Sequence, residues 1–211
     1  MTKLSVNINK IALIRNSRKG NNPSLEDFSL KIIEAGAHGI TVHPRPDQRH
    51  IRPEDLSDLS EITKKHKVEF NIEGNPYEER LDDYPGFLNL IDSINPDQCT
   101  LVPDDSSQLT SDHGWNINSE HNKLSTVLGF LRQSKIRSSI FVDPDKSQLD
   151  AAKDIGVDRV ELYTGPFAEA FIKNDEKTLS TYQEAISYAN DISLELNAGH
   201  DLNLDNLALL L

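Results

Sequence analysis

Titratable side chains stand near the ends of several apolar, strand-length segments of this sequence. His43 and Glu73 each end one such segment, and Glu161 and His200 lie near the ends of two more. Histidine and glutamate are common general acids and bases in enzymes, and burial in a shared cavity moves their pKa values apart. Together in one cavity they would allow several successive proton transfers, so these four are the candidate catalytic residues.

Other polar residues stand at or just after segment ends, namely Asn7, Asn9, Arg45, Asp143, Thr164 and Asn197, and Thr110 lies in the loop that follows the fourth segment. For any one of them, the alternative is a strand-end residue that turns into solvent. In parallel α/β folds, however, ligands bind at the carboxyl ends of the strands. The recurrence of such residues in successive segments therefore favours a binding site at those ends.

Two other kinds of chemistry are disfavoured. His43, Glu73 and His200 could instead ligate zinc or iron, but no local spacing such as His-Glu-x-x-His supports this, and no metal is predicted. Cys99 lies inside an apolar run, which is typical of a buried, inert thiol. Ser139 has no Gly-x-Ser-x-Gly elbow around it, which argues against a serine hydrolase.

Positive charge is concentrated in the first quarter of the chain. Residues 1–52 hold nine Lys and Arg against four Asp and Glu, a net charge of +5. Because the whole chain has a net charge of −12, the other 159 residues have a net charge of −17. The negative total argues against nucleic acid or an anionic membrane as the partner. Basic residues after the first two strand segments fit a small anionic ligand such as a phosphate, with surface solvation as the alternative. They are Arg15, Arg18, Lys19, Arg45, Arg49, His50 and Arg52.

Seven strand-length segments alternate with longer amphipathic segments. The predicted strands are 4–9, 39–44, 68–74, 98–103, 136–143, 158–165 and 193–200. Helices are predicted at 24–35, 53–65, 76–93, 119–134, 145–156 and 175–191, and a further one begins within 202–211. This alternation predicts an α/β protein with a parallel sheet.

Two architectures compete, an open doubly wound sheet and the closed (β/α)₈ TIM barrel. The first strand-to-helix turn lacks the Gly-x-Gly-x-x-Gly and Gly-Lys-Ser/Thr motifs of nucleotide-binding open sheets, so the barrel is favoured. It is predicted as a single domain over residues 1–211. Because such barrels have eight units in about 250 residues, the eighth unit is expected to be missing and the chain is interpreted as C-terminally truncated.

The cellular setting follows from what the sequence lacks. The N-terminal segment has no apolar signal-peptide region, and the single cysteine cannot form an internal disulfide. No run approaches the roughly 18 apolar residues that a membrane span needs. A cytoplasmic protein is therefore predicted.

Seven motifs, in order along the chain, resemble the pyridoxine 5′-phosphate synthase family. They are NINKIALIRNSR, GITVHPRPDQRHI, FNIEGN, LTSDHGW, IFVDPD, ELYTG and LNAGHDL. The resemblance implies condensation of 3-amino-2-oxopropyl phosphate with 1-deoxy-D-xylulose 5-phosphate to pyridoxine 5′-phosphate, phosphate and water. It also implies a cytoplasmic (β/α)₈ barrel that forms homo-octamers and needs no metal or organic cofactor.

The resemblance also implies residue roles. His43 and Glu73 resemble acid/base residues, His200 a proton donor near the amine substrate, and Glu161 a group that stabilises a transition state. The residues that resemble phosphate-substrate contacts are Asn7 for the aminoketone, and Arg18, Arg45, His50 and Thr110 for the deoxyxylulose phosphate.

The sequence departs from the common family pattern at three substrate-binding candidates. Many members have Asp-His where this chain has Asn9-Lys10, and Gly where it has Asp201. The alternatives to a synthase are a truncated or non-catalytic barrel that binds phosphosugars, and another barrel enzyme acting on phosphosugars. No evident Schiff-base lysine stands at a strand end, which argues against an aldolase.

Overall fold

The computed structural model describes residues 2–105, 108 and 110–210. The strands in this part of the chain are β1 (Ser5–Asn7), β2 (Gly39–Val42), β3 (Glu69–Gly74), β4 (Gln98–Leu101), β5 (Arg137–Val142), β6 (Arg159–Tyr163) and β7 (Glu195–Gly199). The helices are α1 (Asn9–Asn16), α2 (Leu25–Glu34), α3 (Asp55–His66), α4 (Phe87–Ile94), α5 (Ile117–Gln133), α6 (Lys146–Asp154), α7 (Gly165–Lys173) and α8 (Glu176–Asp191). None of the helices described is both long and apolar enough to cross a membrane.

The chain divides into two compact units. The first comprises Met1–Gln108 and Leu131–Arg137, and the second comprises Leu109–Phe130 and Ser138–Leu211. In the first unit β1, β2, β3 and β4 pair in that order and in parallel. In the second, β5, β6 and β7 also pair in order and in parallel. The predicted alternation of strands and crossover helices is thus confirmed, while the single domain and the truncation stay predictions.

Strand residues of the first unit alternate between two faces. Ile40, Val42, Phe70 and Ile72 are buried apolar side chains at alternate positions of β2 and β3. Cys99 is also buried, as predicted, and its burial raises the pKa of the thiol. Because side chains alternate along a strand, the intervening residues project to the opposite face of the same sheet.

That opposite face carries a polar network made of the buried residues Thr41, Asn71, Gln98 and Thr100 together with the exposed Ser5. The Ser5 and Thr41 hydroxyls lie 2.7 Å apart, and the Asn71 amide donates to Thr41 Oγ1 at 3.3 Å. Asn71 Oδ1 accepts from Thr100 at 3.0 Å and from Gln98 at 3.2 Å. The network therefore ties four neighbouring strands together directly beneath the strand ends.

The second unit buries aromatic side chains behind its strands. Phe167 of α7 packs against Tyr182 of α8 with ring centroids 5.3 Å apart, and Leu210 joins the same cluster. The Tyr182 hydroxyl donates to the Tyr163 carbonyl at 2.5 Å. This contact fixes the end of β6 against α8.

Two helices were not predicted. α1 begins directly after the three-residue β1, where the sequence indicates a longer strand and then a loop. Its N-terminus has no side-chain cap, so the usual start signal is missing. α7 begins at Gly165 and has Pro166 in its first turn. In sequence, a Gly-Pro pair is equally typical of a turn, so the helix start was not recognised.

Two predicted helices are wrong in extent. The helix predicted over 76–93 exists only as α4, because Gly86 has a φ of 95° and Leu81 and Tyr84 form an isolated antiparallel bridge. A φ in the left-handed region is incompatible with a continuing right-handed helix. Within 202–210 only a 3₁₀ turn, Leu207–Leu209, is present, and Leu211 lies outside the described residues.

The polar network predicts a cost for removing its central amide. Asn71→Ala would leave the buried Gln98 and Thr100 short of a partner, so the free energy of unfolding should fall by about 1–3 kcal/mol. Urea denaturation measures the change. Asn122→Ala, at an exposed position of α5, is the control and should change stability by less than about 0.5 kcal/mol. Equal stability of the two variants would contradict a structural role for the network.

Candidate active site

The candidate site residues fall into two groups, one in each unit. The first unit holds Asn7, Asn9, Lys10, Arg18, His43, Arg45, His50 and Glu73. The second holds Thr110, Glu161, His200 and Asp201. Each group combines residues on the strands or at their carboxyl ends with residues of the segments that follow them, such as Arg18 and His50 in the first group and Thr110 in the second.

His43 follows β2 directly and is buried, with 5% of its surface exposed. Its backbone N–H donates to Asn9 Oδ1 at 2.9 Å, and the Asn9 N–H in turn donates to Asn7 Oδ1 at 2.9 Å. These bonds join the start of α1 to the end of β2. Among the described residues, the His43 Nε2 atom is buried without a hydrogen-bond partner, so its hydrogen-bonding capacity is unused there.

Burial and neighbouring positive charge keep the two histidines of this group neutral. The pKa of His43 lies well below its usual range because of burial, with further lowering by Arg45, His50 and Arg49. Burial, aided by Arg45, lowers the pKa of His50 to about 4, although Asp47 opposes the shift. The His50 Nδ1 atom accepts the Ile51 N–H at 2.9 Å. A neutral ring that accepts at Nδ1 carries its hydrogen on Nε2, so His50 offers one N–H donor.

Glu73 lies near the carboxyl end of β3, in register with Thr100 of β4. Asn7 Nδ2 lies 3.4 Å from Glu73 Oε2, so the amide helps to position the carboxyl group. Asn7 and Asn9 thus both make contacts within the protein. Their predicted contacts with substrate are not tested by this geometry and stay predictions.

The basic loops place their arginines in different surroundings. Arg45 is buried and forms an ion pair with Asp104, and it also donates to the Gln108 carbonyl at 3.0 Å. Arg15 is also buried and binds both carboxylate oxygens of Asp55, at 2.6 and 2.9 Å. In contrast, Arg18 is exposed just beyond the end of α1. Much of the positive charge that suggested a phosphate site is therefore balanced by carboxylates.

Arg15 and Asn16 support the His50 loop, a role that the sequence did not reveal. Arg15 donates to the His50 carbonyl at 3.1 Å, and the Asn16 amide donates to the same carbonyl at 2.7 Å. Both residues lie on the unpredicted helix α1. Without that helix, no pattern in the sequence would have linked these residues to His50.

In the second unit, His200 directly follows β7 and contacts three side chains. Its Nδ1 atom lies 2.8 Å from Asp201 Oδ2, and its Nε2 atom lies 2.9 Å from Thr110 Oγ1. The ring meets Tyr163 edge-on, with centroids 5.2 Å apart and an interplanar angle of 85°. The structure therefore brings two other predicted site residues, Thr110 and Asp201, to the imidazole of His200, and Tyr163 joins them as a residue that was not predicted.

Glu161 lies on β6, in register with Asn197 of β7. Burial raises the pKa of its carboxyl group to about 7. A methyl group added at Gly199 would lie 2.5 Å from Glu161 Oε1, which is closer than real contacts allow. The absence of a side chain at Gly199 therefore leaves room for this carboxyl group. A group with a pKa near 7 can either give or take a proton at neutral pH.

The family is decided by the extent of the sequence match. Residues 4–211 match the family described as pyridoxal phosphate biosynthesis protein PdxJ. The chain belongs to the PdxJ family.

No group of three or more His, Cys, Asp or Glu side chains in the described part of the chain is arranged to hold a metal ion.

Curated relatives agree with this membership. The chain is 48% identical over 207 residues to pyridoxine 5′-phosphate synthase of Xanthomonas axonopodis pv. citri, covering 98% of this chain and 81% of that protein. It is also 48% identical over 207 residues to the protein of the same name from Cytophaga hutchinsonii, covering 98% of this chain and 83% of that protein.

Solved structures identify the fold class. Thiamine phosphate pyrophosphorylase from Pyrococcus furiosus has a TM-score of 0.61 at 12% identity, covering 99% of this chain and 79% of that chain. Deoxyribose phosphate aldolase from Aeropyrum pernix has the same TM-score, identity and coverage. Both are TIM-barrel enzymes, which confirms the predicted α/β, TIM-barrel-like class of this PdxJ-family chain.

The raised pKa of Glu161 predicts a pH-dependent stability. A carboxyl group whose pKa rises from 4.5 to about 7 on folding favours the native state fully below pH 4.5, and this contribution is lost as the pH rises through 7. The loss is on the order of 3 kcal/mol. Glu161→Gln removes it, so the stability of the variant relative to wild type should increase between pH 5 and 8.

Urea denaturation at several pH values measures this difference. Glu176→Gln, at an exposed position in the first turn of α8, is the control and should remain parallel to wild type. A Glu161→Gln curve that is also parallel to wild type would show that Glu161 titrates at an ordinary pKa.

Proposed function

We propose that this chain is a pyridoxine 5′-phosphate synthase, an enzyme of the ring-closing transferase type. The observation that carries the proposal is the match to the PdxJ family over residues 4–211, together with synthases 48% identical over 98% of the chain. His43, Glu73, Glu161 and His200, which the resemblance assigns to catalysis, are all present.

The proposed reaction joins 3-amino-2-oxopropyl phosphate to 1-deoxy-D-xylulose 5-phosphate and releases phosphate and water. Forming an imine, removing water and closing the ring each move protons on and off nitrogen, oxygen and carbon. Such steps need several groups that exchange protons near neutral pH. No metal or organic cofactor takes part in this proposal.

His43 supports the proposal as a neutral base. Its low pKa leaves the ring unprotonated, and its Nε2 atom is buried without a partner among the described residues. A buried polar atom without a partner costs free energy that a ligand would recover. A substrate hydroxyl or amine that donates to Nε2 would therefore be bound and be ready to lose its proton there.

Glu73 and Glu161 supply two carboxyl groups in different surroundings. Glu73 accepts a hydrogen bond from the Asn7 amide, which orients its carboxyl group, and we assign it to the acid/base role that the resemblance implies. Glu161 has a pKa of about 7 because of burial, so a large fraction is protonated at neutral pH. We assign Glu161 to stabilising negative charge on the reacting substrate by donating a hydrogen bond, the task that a protonated carboxyl group performs.

We propose different roles for the exposed and the buried residues near the substrate phosphates. Arg18 and Lys10 are exposed and can meet a phosphate directly. His50 offers a neutral N–H donor, and the charge of Arg45 is balanced by Asp104, so its part is to shape the site. Asn7, Asn9 and Thr110 are kept as proposed substrate contacts, whereas the contact of Asp201 with His200 favours a role through that ring over the substrate contact expected from the sequence.

The setting of the enzyme is also proposed from the resemblance. We assign it to the cytoplasm and expect a homo-octamer. Its partners are then the two phosphorylated substrates and other copies of the same chain, with no nucleic acid or membrane.

The test of the function is product formation. The purified protein, incubated with both substrates, should release inorganic phosphate and pyridoxine 5′-phosphate, and Glu73→Gln should lower kcat by at least about 100-fold because it removes a general base. Glu61→Gln, at an exposed position of α3, is the control and should keep full activity. Substrate binding by calorimetry without turnover would instead identify a non-catalytic phosphosugar-binding protein.

A second kinetic prediction uses the space beside Glu161. In Gly199→Ala the new methyl group would displace the Glu161 carboxyl group, so kcat should fall by about tenfold or more while the protein stays folded. Gly129→Ala is the matched control, because nothing lies within 4 Å of its added methyl group in α5. The control should stabilise the helix slightly and keep full activity. Equal activity of both variants would remove Glu161 from the proposed mechanism.

A further inference from the structure

Each ring nitrogen of His200 faces one oxygen atom. Nδ1 lies 2.8 Å from Asp201 Oδ2, and Nε2 lies 2.9 Å from Thr110 Oγ1. A carboxylate oxygen can only accept a hydrogen bond, so the hydrogen of the neutral ring must be on Nδ1. Nε2 then holds the lone pair and accepts the hydroxyl hydrogen of Thr110. The two contacts are consistent with one tautomer.

The backbone places the carboxylate beside the ring. His200 has a φ of 99° and Asp201 a φ of 55°, two successive residues with a positive φ, which only a few per cent of non-glycine residues adopt. The Thr164 hydroxyl lies 2.7 Å from the Gly199 carbonyl and 2.6 Å from the His200 carbonyl. The Asn206 amide donates to the Asp201 carbonyl at 3.2 Å. The unusual turn is thus held on both sides of His200.

The ring plane is fixed independently of these hydrogen bonds. Tyr163 meets the imidazole edge-on at a centroid distance of 5.2 Å. Tyr163 is itself held, because its carbonyl accepts from the Tyr182 hydroxyl and its ring lies 5.4 Å from that of Phe141. Because the ring plane and the backbone are both fixed, the hydrogen bond to Asp201 determines which ring nitrogen carries the hydrogen.

We propose that Asp201 is a positioning residue that fixes His200 as the Nδ1–H tautomer, so that Nε2 is the nitrogen that exchanges protons with substrate. Nε2 takes a proton from a substrate group, the Asp201 carboxylate stabilises the resulting imidazolium, and the same proton returns to a departing oxygen. Asp201 itself exchanges no proton in this sequence. Only this proton exchange rests on the proposed function, whereas the tautomer is a property of the free protein.

Nitrogen NMR of the full chain with ¹⁵N-labelled histidine tests the tautomer directly, at a pH where the ring is neutral. Wild-type His200 should be mainly the Nδ1–H form. In Asp201→Asn the amide can donate to Nδ1, so the population should move towards Nε2–H. Asp201→Gly removes the partner and should also lose the preference. Asn and Gly both tolerate a positive φ, so the turn is kept in both variants.

Kinetics with both substrates test the consequence. Asp201→Asn and Asp201→Gly should each lower kcat by about 10–100-fold, the usual effect of removing a partner that orients a reactive histidine, with little change in KM. Asp205→Asn changes an exposed aspartate in the following segment and should leave both the tautomer and kcat unchanged.

The outcomes separate the inference from the proposed function. An Nε2–H tautomer in the wild type, or a tautomer unchanged in both Asp201 variants, would overturn the positioning role. A changed tautomer with unchanged kcat would overturn Nε2 as the exchanging atom. A changed tautomer in a protein that makes no product would support the positioning role and count against the synthase.

Discussion

The hydrogen bonding of buried polar side chains on one face of β2–β4 is the constraint on which the first unit depends. One face of this sheet packs apolar side chains against helices, so the alternation of the strands turns the other residues to the opposite face. There Asn71 joins Thr41, Gln98 and Thr100 across three strands. A buried polar side chain stabilises a fold only when its partners are present, so this network fixes the strands in one register.

The register then determines what stands at the strand ends. His43 and Glu73 lie two residues beyond Thr41 and Asn71, on the same face of their strands. Their spacing and orientation are therefore inherited from the network below them. In the second unit, the register of β6 and β7 likewise sets the positions of residues near the strand ends, with Glu161 opposite Asn197 and Tyr163 opposite Gly199. A site built on strands in this way keeps its geometry without relying on long loops.

The strands could be predicted from the sequence because their apolar residues recur in short, well-separated segments. The candidate residues at their ends followed from the same pattern. The start of α1 could not be predicted, because Ile8 gives no capping signal, and with it the support of His50 by Arg15 was missed. Arg45 and Asp104 are 59 positions apart in the sequence, and no local sequence pattern predicts such a contact. The sequence therefore indicated the positive charge correctly and could not indicate how much of it is balanced.

The two candidate histidines reach a defined protonation state by different physical means. His43 is neutral because burial and nearby arginines disfavour the charged ring, and its buried Nε2 atom lacks a partner among the described residues. His200 is more accessible and contacts a carboxylate, so its tautomer follows from a hydrogen bond formed by the next residue in the chain. Burial suits a base that must stay uncharged until substrate arrives. A flanking carboxylate suits a group that must carry a positive charge briefly and then release the proton. This difference supports giving the two imidazoles separate roles in a reaction with several proton transfers.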